Sequence, residues 1–206
     1  MELRRRGDSE QQDALAILRW DKELTQSFSV CATTDSKFGQ LRPLMKLLEI
    51  SGHGVPWIVS LIVLLYVTRN NSNECQFIIN LLAGQILDLV ITATVKVAIK
   101  RQRPHGNKKD MFATVSIDAY SFPSGHSSRV VMVMCLFLFE FTFTFKWMYF
   151  VVILWSSSVC ISRILLGRHH VLDVVGGVVL GMLEYKLIRI FWISNKQSQN
   201  VIDYLF

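Results

Sequence analysis

The sequence predicts an all-α membrane protein: a polytopic bundle of about five transmembrane helices, preceded by amphipathic helices at the bilayer interface. Three observations carry that prediction. Apolar residues make up 51% of the chain and charged residues 18%, a balance too apolar for an ordinary soluble domain. The charges are also segregated: residues 55–67 carry none, whereas the N-terminus and residues 100–109 are crowded with them. Finally, five apolar spans recur, at 55–68, 77–99, 129–145, 147–166 and 171–193. Most approach the ~20 residues that a crossing helix needs.

Residues 1–13 are charged and predict a flexible N-terminus. Arg4, Arg5 and Arg6 have no apolar core behind them, unlike a signal peptide. From 14 to 28, Ile17, Trp20, Leu24 and Phe28 recur at helical spacing, with Arg19, Lys22, Glu23 and Gln26 elsewhere on the wheel. A helix lying on a membrane surface has this pattern. Residues 41–50 repeat it, with Pro43 near the start, where a helix accepts proline. Ser51-Gly52-His53-Gly54 is a break. His53 reads there as a loop or interface residue, because one histidine without partners makes no site. The chain thus divides into a charged N-terminus (1–13), interfacial helices (14–52), a membrane domain (53–195) and a C-terminal tail (196–206).

The first span is short and borrows length from its flank near His53. Trp57, Trp147, Tyr149 and Trp192 lie near span ends, as interfacial aromatics do. A turn at 145–146 makes the third and fourth spans a hairpin. Gly176, Gly177 and Gly181 allow close helix approach in the last span. Asp88 and Glu140 fall inside apolar spans, where a charge is costly; Asp88, two turns before Lys96, reads as a polar contact within the bundle. The four cysteines fit no zinc or redox pattern. Cys135 and Cys160 read as buried thiols.

Three polar motifs interrupt this pattern: Lys96-x6-Arg103-Pro104, Pro123-Ser124-Gly125-His126, and Ser162-Arg163-x5-His169-x3-Asp173. Together they supply three cations for a phosphate, two histidines for chemistry and one carboxylate to aim a histidine. Lys96 and Arg103 are two helical turns apart and so share a face, with the helix ending at Arg103 because a residue before proline disfavours it. Gly125 lets backbone approach a ligand. Ser124, Ser127 or Ser128 can cap the helix that follows, whose free N–H groups attract phosphate. His169 and Asp173 are four apart, neighbours on one helical face. A carboxylate so placed holds one ring nitrogen and leaves the other to attack. Arg163 can fork onto two phosphate oxygens. His170, turned about 100° away, reads as structural, and His105 as an exposed loop residue.

With five spans, the loops bearing the motifs fall on one face, so one site is possible. Metal-dependent chemistry would want clustered ligands, but the polar loops offer only Asp110, Asp118 and Asp173, widely spaced. The site supplies its own cations, which favours a metal-free and cofactor-free reaction. The net charge of +6 suits a phosphorylated substrate and anionic headgroups. Nucleic acid is disfavoured because the basic residues border apolar spans.

These motifs resemble those of the type 2 phosphatidic acid phosphatase family, which shares its site with vanadium haloperoxidases. All signature positions are present, over about residues 77–185. A closer likeness, to the polyisoprenoid diphosphate phosphatases, rests on Leu41-Arg42-Pro43-Leu44-Met45-Lys46, Ser51-Gly52-His53-Gly54-Val55-Pro56-Trp57, Asp110-Met111-Phe112 and Tyr120-Ser121-Phe122-Pro123-Ser124-Gly125-His126. One departure is an N-terminus short for that subgroup. The resemblance implies a helical membrane bundle and a phosphohistidine mechanism. His169 is then the nucleophile, Asp173 its orienter and His126 the general acid. Lys96, Arg103, Arg163, Ser124 and Gly125 hold the phosphoryl oxygens.

The implied substrates are isoprenoid diphosphates (farnesyl, geranylgeranyl or presqualene), with glycerolipid or sphingoid phosphates the alternative. A catalytically dead scaffold would be expected to lose a site residue, and none is lost. A transporter would be expected to show an inverted repeat. The motif-bearing face also carries Arg4, Arg5, Arg6, Lys100, Arg101, Lys108, Lys109 and Arg168, which puts the site in the cytosol by the positive-inside rule. The resemblance implies the endoplasmic reticulum or nuclear envelope as the membrane.

Overall fold

The computed structural model describes residues 2–108, 110 and 119–205, with side chains from Gln12 onward apart from Ala14. Lys109, Met111, Phe112 and Asp118 lie outside the described residues. The order is α1 (Glu2–Phe28), a 3-10 turn (Gly39–Leu41), α2 (Arg42–Ser51), α3 (Gly54–Thr68), α4 (Ser72–Ile99), α5 (Gly125–Phe139), α6 (Trp147–Leu165), α7 (Val171–Ile190) and α8 (Asn195–Leu205). The all-α class is as expected. Among the described residues, extended pairing is limited to one isolated bridge, Gln102 with Tyr120.

Local chemistry sets most boundaries. Pro43 opens α2. The His53 side chain caps α3 by accepting from Val55 N at 3.2 Å. Asn71 caps α4, which has Glu74 in its first turn. Its far end is closed by Lys100 in the left-handed conformation at φ 53°. That cap corrects the expected helix end at Arg103: α4 stops at Ile99, so Lys96 and Arg103 do not share a helical face. The backbone of α1 is helical from Glu2, ahead of the amphipathic segment expected from residue 14.

The five apolar spans appear as α3 to α7, with changed bounds. The third shifts most: α5 covers 125–139 where 129–145 was expected. By length and composition α4 and α6 can each cross a membrane, and α2–α3 passes as one broken span bent by 49°. Among the described residues, two helices, or three spans with the bent pair, are thus long and apolar enough to cross. The outward faces of the bundle are apolar and uncovered, as at Val59, Val63 and Val67 on α3, Leu89 and Val90 on α4, Phe150 and Leu154 on α6, and Val179 and Leu183 on α7. Soluble monomers rarely expose so much contiguous apolar surface; a bilayer covers it.

α5 is the central strut. Val130, Val131, Met132, Val133, Cys135 and Leu136 are all buried, an apolar surface on every side, as for a helix enclosed by others. It packs closest on α7, through the glycines singled out in the sequence. A Cβ at Gly177 would stand 2.6 Å from the Ser124 carbonyl oxygen, and one at Gly181 would collide with that of Ser128. α2 buries Arg42, Met45 and Glu49 and packs on α6. α8 closes the opposite end of the bundle against α4. There Asn80 Nδ2 donates to the Ile193 carbonyl at 3.0 Å and Asn80 Oδ1 accepts from Ile193 N at 2.9 Å.

The intramembrane acids find partners. Asp88 pairs with Arg129 at 2.6 Å, both buried. Glu140 accepts from the Tyr185 hydroxyl at 2.8 Å. All four cysteines are buried and free. Because the atoms facing Gly181 are backbone and cannot rotate away, Gly181→Val is expected to cost about 3 kcal/mol, the upper end of typical overpacking penalties. Gly106→Ala, with open space around it, is expected to be neutral. Thermal melts in detergent check both.

Candidate active site

The three motifs converge where the C-terminal ends of α4 and α6 meet the N-terminal ends of α5 and α7. α6 ends at Leu165, and Gly167 turns the chain at φ +65°, a conformation that favours glycine. The amides of Arg168 and His169 both donate back to the Arg163 carbonyl, at 3.0 and 3.3 Å. This loop delivers His169, 1% exposed, to the site.

His169 therefore precedes α7, which begins at Val171. The expected pairing of His169 and Asp173 on one helical face is corrected accordingly. His169 Nδ1 lies 2.8 Å from the Ser121 carbonyl oxygen, while Asp173 Oδ2 stands 3.8 Å away, beyond hydrogen-bonding range. A carbonyl oxygen only accepts, so Nδ1 carries the proton and Nε2 keeps its lone pair. Asp173 instead accepts from His170 N at 2.7 Å, capping α7, and from Arg101 Nη1 at 2.6 Å. Its charge remains close enough to act on the ring.

Burial lowers the pKa of His169 from 6.5 to about 3. The charge of Arg103 acts in the same direction, Asp173 opposes it, and Lys96 adds to the lowering. The ring is neutral at neutral pH.

A cavity of about 170 Å³ opens beside this ring, lined by Lys96, Arg103, Gly125, His126 and His169 among others. Lys96, in the last turn of α4, is buried, and it and Arg103 both line the cavity. Arg103 Nη1 donates to the Arg168 carbonyl at 3.1 Å. Gly125 and His126 form the first turn of α5, capped by Ser124, whose Oγ accepts from Ser127 N at 3.4 Å. Of the three serines that could cap, Ser124 does so. Ser124, Arg163 and Asp173 stand behind the cavity wall, all fully buried. Among the described residues, none of the three Arg163 guanidinium nitrogens finds a hydrogen-bond partner, although Nη1 lies 3.4 Å from Glu49.

Ser124 N donates to the Asp173 carbonyl at 3.0 Å, joining the second motif to the third. Ser121 N donates to the Arg101 carbonyl at 2.8 Å, and Ser121 Oγ to that of Gln102 at 2.9 Å. Arg101 bridges onward to Asp21 on α1. Asp21 and Thr25 then accept from the first amides of α7, Leu172 N at 3.0 Å and Val171 N at 3.2 Å. Asp110, weighed above as a metal ligand, instead binds Arg42, Lys46 and Arg168. Among the described residues no three His, Cys, Asp or Glu side chains group as metal ligands. His105 is exposed, in the wall of a neighbouring cavity that His170 also lines.

Sequence reasoning missed four contributors: His53, Arg129, Arg101 and the Ser121 carbonyl. His53 lines the cavity with its ring 5.7 Å from that of His126, so its reading as a plain loop residue is corrected. Arg129 lines it too. The available signal was an arginine one turn into an apolar helix, matched by Asp88 in another. Placing the span's start at residue 129 disguised it as a boundary charge. No side-chain pattern marks a backbone carbonyl.

Residues 75–196 match the PAP2 superfamily. The chain belongs to that superfamily. It is 38% identical over 133 residues to a probable lipid phosphate phosphatase beta of Arabidopsis thaliana, covering 53% of this chain and 62% of the relative. It is 35% identical over 111 residues to phosphatidylglycerophosphatase B of Bacillus subtilis, covering 50% and 52%. To an undecaprenyl-diphosphatase of Sulfolobus acidocaldarius it is 28% identical over 148 residues, covering 71% and 68%. The match thus spans less than two-thirds of the first two relatives' own length. A crystal structure of a transmembrane PAP2 type phosphatidylglycerolphosphate phosphatase from Bacillus subtilis shares the fold, with a TM-score of 0.62 at 24% identity over 85% of this chain and 86% of that one.

The lowered pKa of His169 makes a stability prediction. The unfolded state binds a proton near pH 6.5 and the folded state near 3, so stability falls as pH drops through that window. One such group contributes at most about 1.4 kcal/mol per pH unit. His169→Asn removes the group, and its melting temperature in detergent is expected to fall less between pH 6.5 and 4 than that of the natural chain.

Proposed function

We propose that this PAP2 chain is a metal-independent, integral-membrane lipid phosphatase that hydrolyses polyisoprenoid diphosphates through a phosphohistidine. The observation that carries the proposal is a neutral His169 with Nδ1 committed to Ser121, in the wall of a cavity that also holds Lys96, Arg103 and His126. The printed names of the relatives, spanning lipid phosphate, phosphatidylglycerophosphate and undecaprenyl diphosphate, support a lipid phosphate ester as the substrate class.

Nε2 of His169 attacks the terminal phosphorus. A phosphorus–nitrogen bond forms as the bond to the bridging oxygen breaks. His126 gives its proton to that oxygen, and the lipid monophosphate leaves. A water then loses a proton to His126 and attacks the phosphohistidine, which releases inorganic phosphate and restores His169. Lys96, Arg103, Arg163 and the first turn of α5 after Ser124 and Gly125 hold the equatorial oxygens. The unspent donors of Arg163 suit that task, since phosphoryl transfer depends mainly on positioning and charge stabilisation. Asp173 acts on the His169 ring by charge across 3.8 Å. The cations come from the chain itself, so no metal enters any step.

A second reading keeps the mechanism and changes the lipid to phosphatidate, lysophosphatidate or a sphingoid phosphate; the lipid phosphate phosphatase among the relatives favours it. We place the site on the cytosolic face of the endoplasmic reticulum or nuclear envelope, on the charge bias of that face.

Phosphate release from farnesyl diphosphate, presqualene diphosphate and phosphatidate, by purified protein in EDTA, tests the proposal. Release is expected to persist in EDTA and to fall at least ~10³-fold in His169→Ala, the loss typical when a nucleophile is removed. Diphosphates are expected to turn over fastest. Unchanged release in the variant would refute the mechanism, and preference for phosphatidate would select the second reading.

A further inference from the structure

The cavity is longer than one phosphate needs, and its lining changes with depth. Along α4 it is lined by Lys96, then Ala93 and Thr92, then Leu89, then Gln85, a run of about 16 Å at the helical rise. Along α3 the lining passes from His53 and Gly54 to Val55 and Ile58. The outer end holds Lys96, Arg103 and His169, and the inner end is mainly aliphatic. Between them, on α5, come His126 and, one turn deeper, Arg129.

We propose that Arg129, assisted by His53, forms a subsite for the phosphate that stays on the lipid, the inner phosphate of a diphosphate ester. This rests on the phosphatase reading above and deepens it. With the terminal phosphate at Lys96 and Arg103 and the bridging oxygen at His126, the next group inward meets Arg129. For a diphosphate that group is a second phosphate, and the monophosphate ester that departs carries its charge into a poorly solvated position. Among the described residues, the cations lining the cavity are Lys96, Arg103 and Arg129, and only Arg129 lies on the inner side.

Arg129 is set up for this role. Its side chain is 8% exposed. Nη2 is held by Asp88 at 2.6 Å and Nη1 by the Gly52 carbonyl at 3.3 Å. Nε has no hydrogen-bond partner among the described residues. The carboxylate therefore fixes the guanidinium and leaves part of its donor fork unspent. Gly54 keeps the approach to the guanidinium open, since a Cβ there would stand 3.1 Å from Arg129 Cζ. Gly52 serves packing, since a Cβ there would first meet the Val159 and Val130 side chains at 2.9 and 3.2 Å. The His53 imidazole lines the same cavity, with its ring 5.7 Å from that of His126.

The experiment compares kcat/KM for farnesyl diphosphate and farnesyl monophosphate, which share one chain and differ by the inner phosphate. Arg129→Lys keeps a charge beside Asp88 and loses the fork. Asp88→Asn with Arg129→Gln removes both charges together, so neither is left buried alone. Gly54→Ala crowds the guanidinium and leaves the Asp88 pair in place. In each, the diphosphate-to-monophosphate ratio is expected to fall at least tenfold. A ratio that stays constant while both rates fall together would overturn the subsite and make Arg129 a structural partner of Asp88. A natural chain that turns over the monophosphate and not the diphosphate would overturn the underlying diphosphate reading before any variant is made.

Discussion

The proton on His169 Nδ1 is committed to the Ser121 carbonyl, and the rest of the site is arranged to keep it there. That one bond fixes the tautomer, sets the ring's orientation and leaves Nε2 unprotonated. It holds only while Ser121 stays in place, so the neck of the 100–121 loop is closed by the bonds from Ser121 to Arg101 and Gln102. Arg101 then anchors the neck twice, to Asp173 on α7 and to Asp21 on α1. The first amides of α7 close the circuit on Asp21 and Thr25. An N-terminal helix outside the three motifs is thereby part of the frame that orients the His169 ring.

Charge balance is the second constraint. Buried carboxylates on four elements each face an arginine: Asp21 and Asp173 face Arg101, Asp88 faces Arg129, and Glu49 faces Arg163 and Arg168. Desolvating such pairs is costly, and losing one partner typically costs about 3–5 kcal/mol. Well-packed apolar residues would serve stability equally well. The arrangement instead keeps guanidinium groups at fixed positions near the cavity, where Arg163 and Arg129 retain donors that no described residue accepts.

The bundle and the core of the site were legible in the sequence because both rest on side-chain identity and spacing. Apolar runs located α3 to α7, and Gly177 and Gly181 correctly marked the tightest helix contact. The motif residues Lys96, Arg103, Gly125, His126 and His169 do meet at one cavity. The errors arose where backbone conformation decided the outcome. The left-handed Lys100 ended α4 before Arg103, and the turn at Gly167 carried His169 off the helix expected to hold Asp173 beside it. The Ser121 carbonyl left no trace because every residue carries one. His53 was legible only together with His126, 73 residues away in the chain (126 − 53), which a local reading cannot see.

The central claim is that His169 attacks through Nε2. Turnover of an isoprenoid diphosphate labelled in its terminal phosphate, quenched in alkaline detergent and followed by peptide mapping and phosphorus NMR at alkaline pH, reads that directly. A His126→Ala background is read in parallel, because His126 serves both the formation and the hydrolysis of the intermediate. The account predicts label on His169, attached at Nε2. Label on Nδ1, label on another residue, or turnover with no labelled protein in either background would contradict it.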